Sequence, residues 1–259
     1  MTHTADLAIA KTNLLKRVQI RISFEGLTDI QTVVEELKGK DLSTKFGSYR
    51  KLVRPLDNPI GALPEPVHVF YNYQPSDDVV ELVLSTSSMT LSIDCNDYKG
   101  IDPFLELTEI VVTKILASDT FAIVKRIELK KMAADRDEKI DNLFTRFNPE
   151  AFGYTKSTTP GITELSSDYK NELVFNTALP IPIMVSHRRI SRAVRTPQGS
   201  VEYQAILEIE GLANEKVLQR LKLSAYPSMV TEILHSINKF IIEMISLSLN
   251  EKYLKSHDA

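Results

Sequence analysis

The sequence predicts an α+β fold: antiparallel sheets in two strand-rich halves, each followed by helix, closing in a long C-terminal amphipathic helix. Three observations predict it. Strand-like runs follow one another instead of alternating one for one with helices, which argues for antiparallel pairing. Several of these runs alternate apolar and polar residues with period two, as strands with one dry and one wet face do. From Pro227 to Leu254, apolar residues recur at helical spacing.

Taken in order, Val18, Ile20, Ile22 and Phe24 alternate with Arg17, Gln19, Arg21, Ser23 and Glu25, which gives an antiparallel or edge strand. A helix follows over 28–37, with Ile30, Val33, Val34 and Leu37 on one face, Thr28 or Asp29 as N-cap and Gly39 as its stop. Pro55, Pro59, Pro64 and Pro66 make 55–66 a loop. A meander comes next: Val67, Val69, Tyr71 and Tyr73 alternate, 75–78 turn and 79–84 return. After a serine-rich break, Met89, Leu91, Ile93 and Cys95 share a face. Asp102 and Pro103 open a helix striped by Phe104, Leu107, Val111 and Ile115. Residues 121–132 form a strand with Phe121, Ile123, Ile127 and Leu129 on one face and Arg126, Glu128 and Lys130 on the other.

A short helical segment, 135–147, leads into 148–168, rich in Ser, Thr, Gly and Pro. The organisation expected is an N-terminal half over 14–147, a linker over 148–170 and a C-terminal half over 171–259, the two able to pack as one domain. The second half holds a strand at 173–178 and a hairpin of 183–195 with 200–210, turning at 196–199. The last helix carries Val230, Ile233, Leu234, Ile237, Phe240, Ile241, Met244 and Ile245. It spans roughly 40 Å, more apolar length than one small domain buries, so a partner helix or second subunit is expected to cover it.

Composition narrows the function. The 259 residues are 43% hydrophobic and 25% charged, ordinary globular values that exclude wholesale disorder. A net charge of −3 excludes a generally basic binder and leaves local patches open. One cysteine excludes a disulfide framework or a thiolate zinc site and fits a reducing compartment. With nine glycines, none closely grouped, there is no phosphate-cradling loop. No signal peptide or apolar run of membrane-spanning length is visible, so a cytoplasmic protein without membrane contact is expected.

The candidates for chemistry are thin. Cys95, His68 and Asp97 fall near one another, but Cys95 shares the face of Met89, Leu91 and Ile93 while His68 is expected on the face opposite Val67 and Val69. A buried, inert thiol is the expectation. Glu128-Leu129-Lys130 has the E-x-K form of metal-dependent nuclease strands, yet Glu36-Leu37-Lys38 matches it equally well on a helix. The stretch 94–100 starts like a calcium loop but places Gly seventh and Leu105 twelfth. His3, His235 and His257 are scattered, so no catalytic, metal or cofactor site is predicted. The most unusual local feature is Arg188, Arg189, Arg192 and Arg195 on one strand, the first and third on one face. Lys125, Arg126, Lys130 and Lys131 form a second basic strip. Such arginines meet phosphates, meet carboxylates of a protein partner, or guard an edge against aggregation. No aromatics are interleaved with them, which counts against single-stranded nucleic acid.

Three pieces in order resemble a sporadically distributed, uncharacterised bacterial protein family of about this length. They are Thr90-Leu91-Ser92-Ile93 through Tyr98 to Phe104, the basic strand Val124-Lys125-Arg126-Ile127-Glu128-Leu129, and Leu234-His235 with Phe240 on the last helix. Where that family shows an Arg-hydrophobic-Gly-Leu-Arg-Tyr run, this chain has Glu128, Lys130 and Lys131 in the region. The resemblance implies no active site. It does imply an association with mobile elements, including bacterial defence and toxin–antitoxin systems.

The function expected is therefore a non-enzymatic protein-interaction module. It is oligomeric through Val230, Ile233, Leu234, Ile237, Phe240, Ile241 and Met244, and contacts a protein partner or itself through the four arginines. The alternatives are a nucleic-acid-binding protein or metal-dependent nuclease using Glu128 and Lys130, and a SecB-like chaperone, which needs an exposed apolar groove.

Overall fold

The alternation near the start becomes strand β1 (Leu15–Glu25), with Val18, Ile20 and Ile22 buried and Arg17 and Arg21 exposed. The computed structural model describes residues 9, 11–25, 27–39, 42, 46–54, 65–72, 79–94, 100–118, 122–152, 166–175, 182–213, 218 and 227–257. The further strands are β2 (Ser48–Arg54), β3 (Glu65–Tyr71), β4 (Val79–Leu84), β5 (Ser88–Asp94), β6 (Ile123–Asp137), β7 (Ser166–Phe175), β8 (Ile183–Arg195) and β9 (Val201–Ala213). The helices are α1 (Ile30–Leu37), α2 (Asp102–Ser118), α3 (Ile140–Arg146), α4 (Pro227–Ser248) and α5 (Glu251–Lys255), with a 3-10 turn at Glu150–Phe152.

All nine strands join one antiparallel sheet in the order β2-β3-β4-β5-β1-β6-β9-β8-β7. The α+β architecture with antiparallel pairing and a C-terminal helix is as the sequence predicts. Its strands are not divided between two sheets: those on either side of 148–170 meet along β6 and β9, from Ile127 opposite Ala213 to Asp137 opposite Tyr203. One buried apolar cluster draws on β1, β4, β5, β6, β8 and β9 and on α1, α2 and α4. α1 packs on α2, α2 on α4, and α4 on β6, β8 and β9, so these helices lie on one side of the sheet. No helix among the described residues is long and apolar enough to cross a membrane.

Local chemistry sets the element ends. Asp29 caps α1, its carboxylate accepting from the Thr32 amide at 3.0 Å, and the Gly39 amide closes the last turn on the Glu36 carbonyl at 3.1 Å. The turn between β8 and β9 uses Gly199 at φ 86°, where its amide donates to the Thr196 carbonyl at 2.9 Å. Gly211 serves a different end. A Cβ there would lie 2.1 Å from Cγ2 of Ile237, so only glycine lets α4 approach β9 this closely.

Several expectations need correction. β2 was not visible as a strand, and Pro66 belongs to β3, opposite Val53, while 55–64 lie outside the described residues. His68 does lie opposite Val67 and Val69, but its face is the helix-covered one, shared with Phe70, Leu84 and Met89. Cys95 and Asp97 lie outside the described residues. β6 runs on to Asp137, so the helix expected from 135 begins only at Ile140. A bulge between β1 and β6 pairs Ser23 with Arg126 but Phe24 with Val124. Parity therefore flips at Lys125, which buries Val124 and exposes Ile123. β7 begins at Ser166, inside the expected linker.

The long C-terminal helix also ends early, at Ser248. Its terminal carbonyl accepts from the Asn148 amide at 2.9 Å, Leu249 bridges Phe147, and Asn250 caps α5 by accepting from the Lys252 amide at 3.0 Å. Val230, Ile233, Leu234, Ile237, Ile241 and Met244 are buried within the chain, and Phe240 packs half-buried against the same core. The sheet and α2 together cover the stripe, so uncovered apolar length no longer calls for a partner helix.

Candidate functional site

Because side chains alternate across a strand, the pairing register alone assigns every residue to the helix-covered face or to the open face. The open face carries the polar half of each alternation. One row across the whole sheet reads Ser48, Tyr71, Glu81, Ser92, Gln19, Lys130, Glu210, Ser186 and Glu172. The next row brings Asp94, Arg17, Met132, Glu208, Arg188 and Lys170 into line.

Opposite charges pair within and between these rows, although Lys170 stands directly opposite Arg188. Arg17 donates to Asp94 at 2.6 Å, which raises the guanidinium's pKa. Arg126 pairs with Glu128 and approaches Glu210 at 3.5 Å, Lys130 approaches Glu208 at 3.6 Å, and Lys170 meets Glu172 at 2.9 Å. Arg188 forks onto Asp168, with Nε 2.9 Å from Oδ1. That hydrogen bond lowers the pKa of the carboxylate. Arg192 donates from Nε and Nη2 to Oε1 of Gln204 at 3.0 and 2.9 Å.

The four predicted contact arginines therefore separate. Arg188 and Arg192 share the exposed open face, and Arg195 is exposed beside the 196–199 turn. Arg189 is 8% exposed on the helix-covered face, where Nε and Nη2 donate to Oγ of Ser248 at 3.2 and 3.1 Å. Ser248 in turn donates to the Met244 carbonyl at 2.8 Å. Arg189 thus ties β8 to the end of α4 and is no part of an accessible ribbon. Lys131 likewise leaves the second basic strip, since it is fully buried on the helix-covered face. Lys125 reaches across the bulge to Glu25.

Glu128 and Lys130 do share the open face, as the E-x-K pattern requires. Burial raises the Glu128 pKa, with Arg126, which pairs with this carboxylate, opposing. Among the described residues, no group of three His, Cys, Asp or Glu side chains is placed to hold a metal ion.

Sequence reasoning did not anticipate a polar corner where α1 meets β2 and β3. Tyr49 Oη lies 2.8 Å from Nδ1 of the fully buried His68, and burial lowers that imidazole's pKa. Lys38 sits 4.1 Å above the Tyr49 ring and 2.9 Å from Glu35. A cavity of about 120 Å³ opens beside Tyr49, lined also by Phe46, Phe70 and Leu37. Nothing in the sequence pattern marks this corner, because its members come from three elements and β2 does not alternate. His187 is the other buried histidine, 4% exposed. Burial first, and then the neighbouring Arg189, push its pKa down to about 4.

No protein-family model matches the chain, and no curated protein matches it.

Proposed function

We propose that the chain is a non-enzymatic protein-interaction module that presents the open face of its sheet, at the end carrying Arg188 and Arg192, to a protein partner. The observation that supports this reading is the charge pattern of that face, where cations are set against carboxylates or an amide in neighbouring rows. A phosphate backbone favours uniform positive potential, and to meet it Arg188 would have to leave a carboxylate and Arg192 an amide oxygen. A protein surface of mixed charge can exchange such pairs one for one and reads the pattern as specificity. The nuclease and chaperone readings have no comparable observation behind them. Exposed apolar residues lie apart, with Leu52 and Val53 on β2, Val174 on β7 and Leu247 at the end of α4. The resemblance to a family associated with mobile defence elements fits the same class and adds no site.

The test is the double variant Arg188→Glu with Arg192→Glu, assayed by pull-down and titration against partners captured by the parent protein. Both side chains are exposed, so the fold should survive both changes. Partner affinity should fall at least about tenfold. A folded double variant that keeps every partner at parental affinity removes this face from the function.

A further inference from the structure

β7 ends the sheet order, and among the described residues no strand pairs with its outer side. Its ten residues present roughly 30 Å of edge. A free edge offers unpaired amides and carbonyls to any incoming strand, and proteins commonly blunt it with shortness or proline. β7 is long and contains no proline. On its open face Asp168, Lys170, Glu172 and Val174 are all exposed, Val174 at 71%.

Those side chains restrict what the edge can accept. When a strand pairs antiparallel with its own copy about a two-fold axis normal to the sheet, opposed residues must share a face, so the axis passes through a residue. An axis at Asp168, Lys170 or Glu172 sets like charges directly opposite. An axis at Tyr169 overlaps only 166–172, two residues fewer than an axis at Asn171. An axis at Asn171 overlaps 167–175 and sets Lys170 against the copy's Glu172 on both sides of the axis. Axes nearer either end shorten the overlap.

We infer that two copies of the chain join β7 to β7 in the register centred on Asn171, continuing one sheet through both molecules with the helices on one side. This deepens the interaction reading above by naming one partner, a second copy, at an edge distinct from the face of Arg188 and Arg192. Main-chain hydrogen bonds supply the attachment, and the two Lys–Glu pairs select the register.

The test is sedimentation of the full chain across micromolar concentrations. The parent protein should dimerise, and Lys170→Glu should weaken the dimer about tenfold or more, since it faces Glu172 of the copy. Adding Glu172→Lys should restore the dimer, because the swapped charges again oppose each other. Both residues are exposed, so neither change touches the core. In a Cys95→Ser background, Asn171→Cys should join to its own copy through a short bismaleimide, whereas Val174→Cys should not. A parent protein that stays monomeric overturns the proposal. So does a dimer that ignores Lys170→Glu, which would place self-association elsewhere while leaving the role of Arg188 and Arg192 untouched.

Discussion

His187 lies on the helix-covered face of β8 beside Arg189, and across Ile209 from the buried Lys131. Burial, and then the neighbouring Arg189, oppose a charge on this imidazole, so its pKa falls to about 4 from an ordinary 6.5. The unfolded chain takes up this proton as pH drops through 6.5, and the folded chain refuses it until about pH 4. The unfolded state therefore binds more protons in that window, and stability falls as pH falls, by about 3 kcal/mol in total. His68, lowered by burial, acts in the same direction. His187→Leu should flatten the loss of urea stability between pH 6.5 and 4.5, and an unchanged slope would assign that loss to other groups. Neither buried histidine is legible in the sequence. His68 sits between Val67 and Val69, and a strand apolar on both faces gives no parity from which to choose. Arg189 is hidden for a related reason, since arginines occupy both faces of β8 and only the register shows which one reaches Ser248.

Among the elements, the parts legible in the sequence are those in which one face is wholly apolar. β1, β5 and β9 alternate cleanly, and Asp29 marks the start of α1 by its capping chemistry. β2 escapes notice because an edge strand reading Ser-Tyr-Arg-Lys-Leu-Val-Arg buries too little to show a period. The break after Ser248 escapes it because the apolar spacing continues to Leu254 while the backbone turns to meet Asn148. The tightest contact between elements is also invisible to periodicity: Gly211 reads as a flaw in β9 and is instead where α4 comes down onto the sheet. Gly211→Ala drives a methyl into Ile237 and should destabilise the protein by about 2 kcal/mol or more in chemical denaturation. Ile237→Ala removes the obstructing atoms, so the double variant should cost less than the sum of the two single changes. Strict additivity would mean that the helix simply shifts away.

For the whole molecule, one sheet and one apolar cluster span both sides of 148–170. Thermal unfolding should accordingly follow a single transition, with near- and far-ultraviolet circular dichroism curves superimposing. Two separated transitions would show that the strands before 148 and after 166 melt independently despite the β6–β9 seam. The sequence conceals this unity because a run of turn-forming residues looks the same whether it ends a domain or merely connects two strands. The central place of β1 has a consequence for the newborn chain. Its neighbours β5 and β6 are made long after it, with Gln19 waiting for Ser92 on one side and Lys130 on the other. Until the ribosome has released residue 94 this amphipathic ribbon has neither neighbour, and until residue 137 one side of it stays unpaired, so its pairing relies on contacts distant in the chain, which form slowly. During synthesis that first strand is the segment most in need of shelter, and a chain truncated before β6 leaves it with a raw edge in the middle of the sheet.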